Sequence, residues 1–461
     1  MSDESSIDLT VGSVSSHLRR LAIPAAIGML FHTLYNIVDI YFAGRLSTNS
    51  QAGMAIGYLV FFFLVSFGFG LNGAMASLVG NALGSNNKRL AKELIINGIV
   101  FAIVVSFLLI IFGLFVGSSI LAWVSEPGLY QNYGLRYYFL LLIALPAFLI
   151  AYTCNGILQA QGDAMSMQRA LIIAFFMNLG LNPLLIFGIP NFWLGLGFDG
   201  IAYSTIISQY FVLAFMIYKV VKSKVNVKNY SDKITTNFQV FKEIFIQMLP
   251  PTLSFQMIII GVLIMQIALK EFGPQAIAGH SVAMRVEQLV LLPILGMTHA
   301  LLPIVAQNFG AKKFDRVREA LALCLKIGIV SMCLCYPLIW FFSGSILRVF
   351  TNDQEVIEIG IIYLRVDGLI LPVYAVIFSI NSFLQALKRP YGVFIVGLFR
   401  QGFGIAVFIW IFINVFNFGV LGVWLGAAIS VILGGLLSVW IAIRVAKSEI
   451  GEILIYDKKL I

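Results

Sequence analysis

The sequence predicts an all-α, polytopic membrane protein of twelve transmembrane helices. It places them in two six-helix lobes related by a pseudo-two-fold axis along the membrane normal. Three observations predict this. Apolar residues make up 60% of the 461 and charged residues only 11%, and the mean hydropathy of +0.95 lies outside the soluble range. Apolar runs of about 20 residues or more recur along the whole length, each able to cross about 30 Å of hydrocarbon as a helix. The chain also repeats itself: Pro24 aligns with Pro250 at an offset of 226, as do Gly84 with Gly310, Glu93 with Glu319, Tyr137 with Tyr363, Pro146 with Pro372, Asn155 with Asn381 and Gln159 with Gln385. Near the ends the offset slips to 222, where GIAYSTIIS (200–208) meets GVWLGAAIS (422–430). Two copies of one membrane unit make two lobes, an arrangement typical of transporters.

The elements follow in order. A polar tail, 1–17, precedes span one at 18–43, and spans two and three occupy 52–82 and 93–118 with the basic cluster Lys88-Arg89-Lys92 between them. The tail is polar and the first apolar run is too long for a signal-peptide core, so no cleavable signal is expected. Span four is read at 130–160, five at 167–190 and six at 198–221, with acidic Glu126 in the loop before span four and Asp199 at the start of span six. These six form an N-lobe, 18–221. The longest polar stretch, 222–242, is the expected inter-lobe linker. Spans seven to twelve are read at 243–270, 276–307, 319–344, 358–387, 392–414 and 420–446, forming a C-lobe, 243–446, followed by a tail, 447–461. Several spans exceed 25 residues, which implies tilt, kinks or projecting ends.

The net charge of +9 is explained by its distribution, not by a nucleic-acid surface. Lys and Arg gather at Arg19-Arg20, in the even-to-odd loops and at Lys447 to Lys459, whereas the alternate loops are neutral or acidic. The positive-inside rule then puts both termini in the cytoplasm, as an even span count also requires. The basic loops at 88–92 and 312–318 are repeat mates on the same side, so the copies point the same way. Cys154, Cys324, Cys333 and Cys335 all fall inside spans and read as packing residues.

Ionisable groups inside spans are functional candidates. Asp39 sits mid-span in FHTLYNIVDIYFAG (31–44), with Asn36 and His32 three and seven residues before it on one helix face and Tyr35 flanking. Desolvation disfavours the charged form of such a carboxylate. It can therefore load and release a proton, or bind a monovalent cation; the competing reading is a structural Asp bonded to neighbouring Asn or Tyr. In span five, Asn178 and Asn182 share a face, and Pro183 cannot donate to the carbonyl of Leu179. Asn oxygens, a free carbonyl and a carboxylate suit a hard cation, so Asp39, Asn178 and Asn182 are the ligands expected if that cation is Na⁺. The alternative for the Asn pair is helix–helix glue. Span six adds Ser204 and Thr205.

The segments LYNIVDIYFAG, NGILQAQGDA, NLGLNPLLIFG and GIAYSTIIS, in order and in spans one, four, five and six, resemble the MATE (multidrug and toxic compound extrusion) antiporters, in particular the prokaryotic DinF-like branch. The resemblance covers nearly the whole chain. It implies a coupling H⁺ or Na⁺ bound at Asp39, with Asn178, Asn182 and Thr205 completing the site and Tyr35 and Asn155 as supporting positions. Similar proteins usually read DP in span five where this chain reads Asn182-Pro183, so the second N-lobe acid is missing and Asp39 alone is expected to carry the coupling charge. His32 could add a second titratable group; a neutral histidine bonded between helices is the competing reading.

The C-lobe says less. Met265 stands at the repeat position of Asp39. Gln256 and Gln266 lie in span seven, and MRVEQ in span eight carries Arg285 and Glu287, too close in sequence to share a face. Gln256, Arg285 and Glu287 are the C-lobe candidates for a supporting or substrate-contacting role, with Arg400 of span eleven the expected ion-pair partner of Glu287. Span ten carries Tyr374 and Asn381, with Asp367 near its outer end. His280 and His299 stand apart without metal-ligand spacing.

No Walker loop, dinucleotide fingerprint or HExxH appears, so no enzyme and no cofactor are expected. The function expected is secondary antiport. Amphipathic or cationic organic compounds leave in exchange for H⁺ or Na⁺ by a rocker-switch between two lobes. The setting is the inner membrane of a bacterium or archaeon, and the protein a monomer with no nucleic-acid partner. The alternative is a lipid-linked saccharide flippase of the same superfamily, which would favour a cavity rich in Arg and Lys; only Arg285 and Arg400 lie mid-span.

Overall fold

The computed structural model describes residues 7–189, 191–223, 225 and 237–453. Of the expected linker, 224 and 226–236 lie outside the described residues, as do 1–6 of the first tail and 454–461 of the last. The chain is all-α. Among the described residues the one β feature is an isolated bridge between Ile189 and Trp193.

The elements are α1 (Val14–Leu46), α2 (Thr48–Gly84), α3 (Lys88–Val124), α4 (Leu129–Leu142), α5 (Leu145–Ala160), α6 (Met165–Phe187) and α7 (Asp199–Val221). The second half holds α8 (Phe238–Lys270), α9 (Pro274–Gly310), α10 (Phe314–Leu347), α11 (Gln354–Ala386), α12 (Tyr391–Gly397), a π-helical turn (Leu398–Phe403), α13 (Gly404–Asn414) and α14 (Val420–Glu449). Among the described residues, eleven stretches are each long and apolar enough to cross a membrane, and the pair α4–α5, bent by 52°, makes a twelfth if it is one span. The bend precedes Pro146, which lacks the N–H needed to continue the ladder. Span eleven likewise runs as α12, the π turn and α13.

Helix ends follow local chemistry. The Ser47 side chain accepts from Ser50 N, Asn87 from Leu90 N, and Asp353 from both Glu355 N and Val356 N. The repeat reaches the backbone here. Asn86 and Lys312, one repeat apart, close α2 and α9 with φ of 57° and 59°. Gly162 and Lys388, again one repeat apart, follow α5 and α11 with φ of 81° and 59°. A left-handed residue just past a helix end lets N–H groups turn back onto the last carbonyls.

Close backbone approach needs small residues. A Cβ on Gly57 would lie 2.5 Å from the Gly134 carbonyl oxygen, so α2 and α4 pack with their backbones nearly in contact. Large apolar side chains stand outward, among them Phe115 at 78% and Trp123 at 81% exposure, as a lipid-facing surface requires.

The chain forms two compact units, Met1–Asp8 with Ile27–Leu249, and Leu9–Ala26 with Pro250–Ile461. The cuts fall inside helices, near Pro24 of α1 and at Pro250 of α8, which are repeat mates. The start of each half thus belongs to the other unit. In the second unit, Leu9 N donates to Gln307 Oε1 at 2.9 Å and Asn308 Nδ2 to Leu9 O at 3.1 Å. Arg316 Nη1 donates to Gly12 O at 2.7 Å in the same unit. In the first unit, Asn237 N donates to Asn97 Oδ1 at 3.0 Å, Asn237 Nδ2 to Glu93 Oε1 at 2.7 Å, and the Phe241 ring meets Phe101 edge-on at 5.3 Å.

Candidate functional site

Within the first unit, α1, α6 and α7 converge on one carboxylate. Asp39 is 4% exposed, and Asn178 and Asn182 are fully buried. Asn178 Nδ2 donates to Asp39 Oδ1 at 3.0 Å and Asn182 Nδ2 to the same oxygen at 2.8 Å. Thr205 Oγ1 donates to Asp39 Oδ2 at 3.1 Å. The four-residue spacing of the two Asn residues puts both amides on one face of α6, one turn apart.

A second tier orients these donors. Asn182 Nδ2 also donates to Asn178 Oδ1 at 3.0 Å, and Asn178 Nδ2 to Ser204 Oγ at 3.0 Å. Ser204 Oγ donates to Asn182 Oδ1 at 2.6 Å. Both amide nitrogens therefore face the carboxylate, while both amide oxygens are engaged elsewhere. Charge-assisted hydrogen bonds of this kind are what an ionised, desolvated carboxylate requires. Beside this network the hydroxyls of Tyr35 and Ser208 are buried without a hydrogen-bond partner.

The expected residues are not all brought here. Asn36 Nδ2 donates to the His32 carbonyl at 3.0 Å within its own helix, and His32 makes no bond to Asp39. Tyr35, one turn before Asp39, is the neighbour turned inward, at 7% exposure. Asn155 Nδ2 donates to Asn72 Oδ1 at 3.3 Å, away from Asp39. Gln256, Arg285 and Glu287 belong to the second unit; Gln256 is buried and Arg285 exposed.

That unit has its own polar cluster, which sequence reasoning only partly found. Tyr363 Oη donates to Glu287 Oε2 at 2.5 Å, and Tyr374 Oη to Asp367 Oδ1 at 3.4 Å. The expected ion pair between Arg400 and Glu287 is not formed; none of the ion pairs among the described residues includes Arg400. Its guanidinium instead lies over the Tyr374 ring at 5.5 Å. Asp367, placed near the outer end of its span by the sequence, is 6% exposed in this cluster. Tyr363, Asp367 and Tyr374 recur at four and seven residues along α11, the helical spacing that could have flagged them. His280 stacks on Trp424 at 5.5 Å and meets Tyr363 edge-on at 5.1 Å. Among the described residues no group of three His, Cys, Asp or Glu could hold a metal ion.

Two repeats of apolar helices, with charged groups sealed inside each, define a polytopic α-helical membrane transporter. Comparison with known proteins narrows the class. The MatE family matches residues 24–184 and again 250–410, the two halves of the internal repeat. The chain therefore belongs to the MatE family, whose members are transporters and not enzymes.

Its relatives include the multidrug export protein MepA of Staphylococcus aureus, 25% identical over 92% of each chain. The probable multidrug resistance protein YoeA of Bacillus subtilis is 24% identical over 76% of each, and an FAD transporter of Shewanella oneidensis 24% identical over 83% of this chain and 84% of its own. The fold matches a solved MOP superfamily transporter from Pyrococcus furiosus with a TM-score of 0.88 at 23% identity, covering 95% of this chain and 98% of that one.

Proposed function

We propose that this protein is a secondary antiporter that exports amphipathic, cationic organic compounds in exchange for a proton carried by Asp39. The observation that carries the reading is one buried carboxylate held by donors from two other helices. Such a group couples an ion to a conformation because its two charge states need different partners. Ionised, Asp39 accepts three hydrogen bonds from α6 and α7. Protonated, it must donate one and accepts the others more weakly. The unpartnered Tyr35 and Ser208 hydroxyls offer acceptors for that proton. Loading therefore re-pairs α1 with α6 and α7, and a ligand drives a transition only through such a difference between states.

The orientation of the amides favours H⁺ over Na⁺. A bound Na⁺ needs oxygens around it, but both Asn oxygens already accept, from Asn182 Nδ2 and Ser204 Oγ. Turning them toward a cation gives up both bonds. Names carried by MepA and YoeA support organic drugs as cargo. Both termini are read as cytoplasmic and the working unit as a monomer that needs no cofactor.

The test is substrate efflux from proteoliposomes under separately imposed H⁺ and Na⁺ gradients. Efflux should follow the H⁺ gradient, and Asp39→Asn should reduce it to the leak rate. Wild-type rates in that variant, or efflux driven by Na⁺ alone, would overturn the reading.

A further inference from the structure

The second unit holds two carboxylates that the antiport reading does not use, Asp367 buried and Glu287 half-buried. Asp367 on α11 lines a cavity together with Arg400, and Glu287 on α9 joins the cluster through the hydroxyl of Tyr363, which lines the same cavity. The cavity, about 40 Å³, is lined by Tyr363, Asp367, Tyr374, Arg400 and Trp424, with Met265 on its wall. It can hold a Na⁺-sized ion or a few waters, since a single water needs about 10–15 Å³. Arg400 is 6% exposed, and its Nε has no hydrogen-bond partner. It sits in the π-helical turn Leu398–Phe403, where its backbone carbonyl accepts from Ser430 Oγ at 2.7 Å. Widened turns of this kind concentrate at functional sites.

Two neighbouring carboxylates drawn out of water without a cation are disfavoured. The usual remedy is a bound metal ion or a shared proton. Here the chain supplies the positive charge itself. Glu287 is satisfied by the Tyr363 hydroxyl, Asp367 has only one long bond from Tyr374, and the guanidinium lies over that same Tyr374 ring.

We propose that Arg400 is a tethered counter-cation. Its guanidinium holds the place that a free monovalent cation such as Na⁺ would take beside Glu287 and Asp367, and removing it opens a new cation site. With Arg400 present, the cluster carries one uncompensated negative charge, matched by the donors Tyr363 and Tyr374. Without it, the cluster carries two in an existing cavity. This assignment does not depend on what Asp39 does.

The experiment is thermal unfolding of the purified full-length protein in NaCl against choline chloride. An Asp39→Asn background removes any contribution from the first unit. That background alone should melt at the same temperature in both salts. Adding Arg400→Gln should produce a saturable, Na⁺-dependent rise in the midpoint, lost again when Asp367→Asn is added. Arg400→Lys keeps the tethered charge and should be as silent to Na⁺ as the background. A Na⁺-dependent rise already present with Arg400 intact and abolished by Asp367→Asn, or none after Arg400→Gln, overturns the proposal. Should Arg400→Gln fail to accumulate, Arg400→Gln with Asp367→Asn has the net charge of the native cluster and should restore folding. No recovery in that double variant also overturns it.

Discussion

The two units solve one problem in two ways. In the first, a single carboxylate, Asp39, is held only by neutral donors: two amides and a hydroxyl. In the second, two carboxylates each accept from a phenol, with one guanidinium over the Tyr374 ring beside them. The backbones are repeats, down to matched left-handed turns at Asn86 and Lys312. The charges are not. Asp39 has Met265 as its repeat mate, whereas Glu287, Asp367 and Arg400 stand where the first unit has Phe61, Leu141 and Ala174, all fully buried and apolar. The scaffold repeats, and these charges stand on different helices of each copy. A neutral-donor shell leaves its carboxylate one charge short and free to take a small cation or proton. In the second unit, by the proposal above, the tethered guanidinium fills the place such an ion would take, and the phenol donors match the charge that is left. That contrast predicts that ion exchange belongs to the first unit.

Mutations at matched positions can break this contrast. The largest effect is expected for Asp39→Leu, which leaves the Asn178, Asn182 and Thr205 donors buried and unpaired; a loss of about 3–5 kcal/mol is expected from breaking such a network. Its repeat mate Met265→Leu should cost under about 1.5 kcal/mol, as a volume-conserving swap. Chemical unfolding in detergent reads both, and equal losses would end the asymmetry.

Next comes Asn178→Leu, which removes one bond to Asp39 and strands the second hydrogen of Asn182. A loss of about 2–3 kcal/mol is expected, with efflux lowered as well. A smaller effect, about 2 kcal/mol, is expected for Tyr363→Phe, because hydrogen bonds to charged groups are worth about 1.5–3 kcal/mol. This change should leave H⁺-driven efflux intact, since it touches only the second unit; a collapse of coupling would show that the second unit also exchanges ions. The smallest effect belongs to Tyr35→Phe. Its hydroxyl has no partner in this state, so stability should move by less than about 0.5 kcal/mol, whereas the efflux rate should fall if that oxygen receives the proton of Asp39. Unchanged efflux would remove Tyr35 from the proton's path.

Much of this was legible in the sequence. Span number, repeat and the candidates Asp39, Asn178 and Asn182 follow from hydropathy, spacing and the cost of burying a charge, which the chain must declare locally; Thr205 joined them through the family resemblance. Ser204 was visible as a span-six hydroxyl, but its role in turning the amides depends on which way each Asn points, and no residue pattern encodes that. The α4–α5 bend was under-read because Pro146 sits inside an unbroken apolar run. His32 and Asn36 share a face with Asp39 on paper, yet Asn36 spends its donor on its own helix. The second cluster was obscured by distance: Glu287, Asp367 and Arg400 come from three helices, and Asp367 reads as an end residue until packing buries it.

The exchanged helix starts bear on how the molecule is made. Leu9–Ala26 belongs to the unit otherwise built from Pro250 onward. At about 5–20 residues per second, a nascent chain waits roughly 15–60 s between synthesising Leu9 and Gly12 and the residues of α9 and α10 that they bond. Throughout that interval the leading end has no partner, and the first unit still lacks the start of α8. Neither half can be finished before the ribosome is past the midpoint. Release at residue 221 would therefore yield not a smaller stable half but a chain with one end unhoused and one berth empty, a substrate for membrane quality control.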